Sequence, residues 1–408
     1  MSVVIKGARL LFLAAVDHPR RGKALSDPTA WYSGHVLVQN GRIASIASGH
    51  MSHDDLAPGT KIIEADGRVL MPAFVDCHTH ACFAGDRLDE WERKQAGATY
   101  LELLEAGGGI MSTVRAVRAA SEAELADGLG RRLGWMLREG TTTVEVKSGY
   151  GLSTEHELKM LRAIAAASER WVGTVVPTAC IGHAIDGDQS TFVARTIGET
   201  LPAVHAEFPG VAIDAYCEKG AWSLADCLKL FDRALELGHP VRVHADQFND
   251  LGMIPEAVRR GFRSVDHLEA STPEHLAQLA ESGVFGVMLP CAGFHVDGRY
   301  ADGRAFVDAG GALAIASNLN PGSAPCASVP MAIALGVRNL GITAHEAIAA
   351  CTVNAARVLG FDDRGSIAPG MRADLVLLRH TDERQLGYEF GGNPVDLVIC
   401  RGEIVSPA

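Results

Sequence analysis

The sequence predicts an α/β fold: a TIM-type (β/α)8 barrel carrying a small β-sandwich domain built from both chain ends. Three observations predict it. Between Pro72 and Leu359 a short apolar run, a polar break and a helical stretch recur eight times. Continuous apolar runs suit strands buried on both faces, and their alternation with helices implies a parallel sheet. Outside this region apolar and polar residues alternate, as they do in two-faced strands. Several of the central runs also end in histidine, at the strand ends where such barrels place their chemistry.

The elements follow in chain order. Residues 1–70 contain VVIKGARLLF and HVLVQNGRIASI, with Asn40-Gly41 as a hairpin turn. Leu10 to Val16, preceded by Lys6 and Arg9, is far too short to span a bilayer and reads as strand rather than as a signal-peptide core. The eight runs start at Ala73, Thr142, Gly173, Val211, Pro240, Arg263, Val284 and Ala312. Between them, Leu224, Cys227, Leu228, Phe231 and Leu235 share one helical face that Gly238 closes. Thr154 with Glu157, and Thr343 with Glu346, have capping-box spacing, and Thr272-Pro273 is a cap followed by a first-turn proline. The tail 363–408 holds ADLVLL and DLVICRGEIV. Neither end alone can bury a core. Residues 1–70 and 363–408 are therefore expected to pair into one β domain beside a barrel of residues 71–362.

Composition narrows the function classes. With 408 residues, 47% hydrophobic and 21% charged, the chain is neither disordered nor fibrous. The 37 basic against 49 acidic residues give a net charge of −12 without a basic stripe, which argues against nucleic acid as a partner; no segment suggests a membrane partner either. The 9 cysteines are scattered with no CxxC pair, which suits small buried residues in a reducing, cytoplasmic setting.

The strand ends carry His78 and His80, His183, His244 and His267, and the eighth ends at Asn318. Side chains two apart in a strand face the same way, so His78 and His80 can reach one ion, and His244 supplies a third imidazole. Three neutral imidazoles with an open position suit one divalent metal, zinc in the first place, with iron, manganese or nickel also compatible. Asp266-His267 reads equally as a strand-end hydrogen-bond pair or as a proton acceptor from activated water. Lys147 is either a solvated loop residue or a modified ligand to a second metal. Asn320-Pro321-Gly322-Ser323 is a turn whose backbone can face a substrate at the barrel mouth. LEAGGGIMSTV, from Leu104, is a hinge or an anion-cradling turn. Arg87, in a loop after the first strand, is a surface residue or a bidentate carboxylate binder.

These residues carry a resemblance. VDCHTHACFAGDR, ATYLELLEAGGGIMSTV, GTTTVEVKSGYGLSTEHELKML, YCEKG, VHAD, DHLE, NPGS and GSIAPGMRADLVLL resemble the imidazolonepropionases of the metal-dependent amidohydrolase superfamily, over nearly the whole chain. The resemblance implies a homodimer with one metal on His78, His80 and His244, and His267 assisting proton transfer. Arg87, Tyr100, Tyr150, His183, Asn320 and Gly322 would line a pocket for a small substrate with a carboxylate. The implied reaction is attack of metal-activated water on an imidazolone ring bearing a propionate.

Two positions differ from that pattern: Asn318 stands where the family has aspartate, and Gln247 where it has glutamate. Cys291 also stands where glycine is expected. Losing two carboxylates should weaken the protonation of a nitrogen leaving group by roughly 10²–10⁴-fold each. Hydrosulfide leaves as an anion without that help. The sequence therefore favours attack at C2 of 3-(5-oxo-2-thioxoimidazolidin-4-yl)propionate, releasing hydrogen sulfide as in a desulfhydrase branch of ergothioneine breakdown, with His267, Gln247 and Asn318 as the catalytic set. The alternative is imidazolonepropionase itself, opening its ring in histidine degradation. A second alternative is a non-catalytic scaffold of the same fold.

Overall fold

The computed structural model describes residues 2–13, 18–49, 51–52, 56–97 and 108–407. Eight parallel strands follow one another in space in chain order: β6 (Phe74–Asp76), β7 (Thr141–Lys147), β8 (Thr174–Gly182), β9 (Ala212–Cys217), β10 (Arg242–Ala245), β11 (Ser264–His267), β12 (Phe285–Met288) and β13 (Leu313–Ile315). Their starts match the eight apolar runs. Beyond the strand ends, the N–H of Asn318 donates to the carbonyl of His78 (3.1 Å) and that of His80 to the carbonyl of Leu319 (2.9 Å). These bonds join the first and last strands of the barrel and fix two of the site's loops to each other.

Helices cover the outside. Leu224–Glu236 buries Cys227, Leu230, Phe231 and Ala234, and Gly238 follows in the left-handed conformation (φ 81°) that glycine adopts without strain. Thr343 and Glu346 form the expected capping box, and Thr272 caps Pro273–Glu281. The box at Thr154 is displaced. Ser153 caps the helix Thr154–Arg170, because Glu157 is buried and its carboxylate accepts from the N–H groups of Gly149, Gly151 and Leu152. Glu157 thereby shapes the loop that carries Tyr150.

The chain ends form the small β domain. Its strands are β1 (Ser2–Leu11), β2 (Ala30–Gln39), β3 (Arg42–Ser48), β4 (Lys61–Glu64) and β5 (Val69–Pro72), with β14 (Leu375–Leu378), β15 (Val395–Cys400) and β16 (Glu403–Pro407) from the tail. They make one mixed sheet, β16-β15-β14-β5-β1-β2-β3, with β4 and β5 pairing successive halves of the same edge of β1. Val3, Ile5, Leu10, Val36 and Val38 from one end pack with Leu375, Leu377 and Ile399 from the other. Asn40 and Gly41 (φ 50° and 76°) turn β2 into β3. Only Ala73 separates β5 from β6, so the small sheet leads straight into the barrel. Among the described residues no helix is long and apolar enough to cross a membrane.

Candidate metal centre and active site

The C-terminal ends of the barrel strands bring His78, His80 and His244 together. Their rings lie 4.5–5.5 Å apart between centroids, and one nitrogen from each falls within 4.8 Å of the others. Both His78 and His244 are fixed from behind. His78 Nδ1 is 2.6 Å from Asp266 Oδ2, and His244 Nδ1 is 3.0 Å from Asp214 Oδ1. Each carboxylate accepts a hydrogen bond from Nδ1–H, which fixes the tautomer that keeps the lone pair on Nε2. His78 Nε2 is buried without a hydrogen-bond partner, and His80 Nε2 sits 3.0 Å from His244 Nε2. Burial, the largest cause for all three, holds these imidazoles below their ordinary pKa and hence neutral, the form that binds metal. The donor set fits a divalent ion.

Beneath them runs a buried chain of charges. Asp266 pairs with Arg242 (2.7 Å), Arg242 with Glu145 (3.1 Å), Glu145 with Lys147 (2.7 Å) and Lys147 with Asp214 (2.7 Å). It links the carboxylate behind His78 to the one behind His244. Burial works against the charge on Lys147, but Asp214 and Glu145 outweigh both that and nearby Arg242 and raise its pKa above the ordinary value. Lys147 Nζ is thus committed to two carboxylates. This corrects both readings of it, as a solvated lysine and as a ligand to a second metal.

His267 ends β11 with its ring 5.6 Å from that of His244, and Nδ1 faces Glu269 Oε1 at 3.2 Å. His267 and Leu268 both have left-handed φ, 93° and 76°, which is costly for non-glycine residues and is held here by the strand end and the Leu268 N–H bond to Ala245. His183 stacks on His80 (4.6 Å, 14°), and Tyr150 lies 5.2 Å from His183. His80, Tyr150, His183, His244 and His267, with Arg87, Gln247, Asn318, Asn320 and Gly322, line one open cavity of about 1020 Å³.

The structure refines several of these placements. Asn318 is buried beside the histidines with φ 57°. Gln247 accepts from the Tyr216 hydroxyl (2.8 Å). The Asn320 amide holds its own turn, accepting from the N–H groups of Gly322 and Ser323 and donating to the Asn318 carbonyl. Cys291 packs in the barrel core and does not line the cavity. Gly109 caps the helix Ile110–Ala119 and donates to the Glu90 carboxylate (2.9 Å), so the described part of the glycine-rich run grips a protein anion. Tyr100 lies outside the described residues. Sequence reasoning missed Glu269, Asp214, Glu145 and Arg242. Three of these were visible as charges inside apolar runs, VAIDAYCE, TTVEVKSG and PVRVHAD.

A parallel barrel with a three-histidine centre at its catalytic end defines a metal-dependent hydrolase of the amidohydrolase class, and the amidohydrolase family pattern matches residues 84–406. The chain is 45% identical over 400 residues to the imidazolonepropionase of Herpetosiphon aurantiacus, covering 95% of this chain and 93% of that protein. It is 41% identical over 415 residues to the imidazolonepropionase of Symbiobacterium thermophilum, covering 99% and 97%. The chain belongs to the imidazolonepropionase family. In fold it is similar to the 5-methylcytosine deaminase of Klebsiella pneumoniae, with TM-score 0.77 at 18% identity over 99% of this chain and 97% of that one.

Proposed function

We propose that this protein opens the ring of imidazolone propionate by hydrolysis. The observation that carries the reading is a cluster of three neutral histidines, two of which, His80 and His244, line one cavity with His267 and Arg87, in a chain whose relatives are imidazolonepropionases. The relatives reverse the order of substrates expected from the sequence. Ring opening also changes the attacked atom, since a lactam is cleaved at its carbonyl carbon rather than at C2.

His78, His80 and His244 would hold one divalent ion, zinc being the simplest fit to three imidazoles. When bound, that ion supplies Lewis acidity and a nucleophilic water at neutral pH. His267, with Nδ1 held by Glu269, offers Nε2 to take the proton from the attacking water and return it to the ring nitrogen as the C–N bond breaks. Arg87 would receive the propionate through its guanidinium fork, and Tyr150 and His183 would flank the ring. By family resemblance the active form is proposed to be a homodimer.

Protein stripped by a chelator should lose turnover of imidazolone propionate and regain it with zinc, while His244→Ala should lose both metal and turnover. Retained activity in metal-free protein would refute the reading.

One observation favours a second substrate. Asn318 lines the cavity, its N–H bonded to the carbonyl of His78, and carries a carboxamide where the family resemblance places a carboxylate, so protonation of a nitrogen leaving group falls to His267 alone. Attack at C2 of the 2-thioxo analogue expels hydrosulfide, which needs no such proton. Sulfide release from that analogue, measured beside ring opening, separates the two.

A further inference from the structure

We infer that Glu90 is a positioning residue, which together with Gly322 aims the Arg87 guanidinium at a ligand carboxylate and makes the cavity prefer substrates with a charged short arm. The inference rests on the proposed role of Arg87 as the propionate seat.

Arg87 is the N-cap of the helix Leu88–Gln95, and Glu90 lies one turn on. Arg87 Nε donates to Glu90 Oε2 (2.7 Å) and Nη2 donates to Oε1, so one edge of the planar guanidinium is fully matched. Glu90 Oε2 also accepts from the N–H of Gly109 at the start of the next described helix, Ile110–Ala119. The carboxylate is therefore pinned between two helix N-termini, where the macrodipoles favour an anion. Burial works against its charge, but the bonds from Arg87 and Gly109 outweigh it and keep Glu90 below the ordinary carboxylate range.

With the Nε/Nη2 edge taken, a second carboxylate must meet the Nη1/Nη2 edge. Nη1 points to the cavity loop: a Cβ placed on Gly322 would lie 3.2 Å from it. Gly322 has no left-handed φ, so what its missing side chain supplies is space beside this edge rather than backbone freedom. The Arg87–Glu90 pair is neutral overall. A ligand anion is then held by the geometry of the fork, not by unbalanced charge, and that geometry discriminates a planar carboxylate from an amide.

The test compares kcat/KM for imidazolone propionate and its propionamide in the wild-type protein, Glu90→Gln and Gly322→Ala. Glu90→Gln should cut the preference for the carboxylate by roughly tenfold, through KM rather than kcat, and leave the KM for the propionamide in place. Gly322→Ala should shift the preference in the same direction. An unchanged preference would overturn the inference, and a lower KM for the propionate in Glu90→Gln would show a competitor instead of a guide. Arg87→Met separates this from the underlying reading: if it leaves the two substrates' ratio as in the wild type, the propionate seat itself is misplaced.

Discussion

Replacing Lys147 by methionine tests whether the buried charge chain holds the metal centre. Lys147, Glu145 and Asp214 have fully buried side chains, and Nζ lies 2.7 Å from both carboxylates. Methionine fills much the same volume but takes from Asp214 its lysine and leaves Glu145 sharing Arg242 with Asp266. Removing one partner of such a buried set costs about 3–5 kcal/mol, because the others stay desolvated. At about 2 °C per kcal/mol for a domain of this size, the melting temperature should drop on the order of 5–10 °C. Asp214 also orients His244, so metal affinity should weaken by roughly 10–100-fold, as when an outer-shell partner is lost. Thermal melts of metal-free protein give the first quantity and chelator competition the second. A melting temperature within about 1 °C of wild type, with unchanged metal affinity, would refute the role assigned to the chain.

Other predictions follow from single contacts. Glu269→Gln removes the charge behind His267 Nδ1 and should lower kcat on the order of tenfold with little change in KM, measured by steady-state kinetics. Asn318→Asp restores a proton carrier and should raise ring-opening turnover while lowering any desulfurisation, measured by substrate loss and sulfide release. Glu383 is bonded by Arg9 (2.6 and 2.7 Å) and His345 (3.0 Å); burial opposes its charge, yet these bonds hold its pKa below the ordinary 4.5. A depressed carboxylate stabilises the fold above its unfolded pKa and loses that contribution as pH falls. Denaturant midpoints should therefore show wild type weakening below pH 4.5, with Glu383→Gln less stable at neutral pH by about 1–3 kcal/mol and flatter in acid.

Much of this architecture was legible in the sequence because its signals are local. Parallel strands buried on both faces leave apolar runs, and all eight were visible as such. The histidines stood out because each follows one of those runs directly. The pairing of residues 1–70 with 363–408 was inferred from their alternation and small size, but the order of strands was not, since β1 has three neighbours and one comes from before, one from after, the 60s loop. The charge chain was hidden for a related reason: Lys147 meets Asp214 across 67 residues, and Arg242 meets Asp266 across 24. A lysine in VEVKSG looks solvated until the strand beside it is known. The misplaced cap at Thr154 has another origin. Glu157 has the right spacing for a capping box, yet three unpaired N–H groups in the Gly149–Leu152 turn engage its carboxylate.

The central claim is a metal-dependent hydrolysis of the imidazolone ring, and the most direct measurement is turnover by metal-analysed protein on imidazolone propionate beside its 2-thioxo analogue. The account predicts that the imidazolone is consumed with kcat/KM well above that for the analogue, that chelation abolishes the activity and that zinc restores it. Sulfide release from the analogue with the imidazolone left intact would contradict ring opening and hand the site to the second substrate.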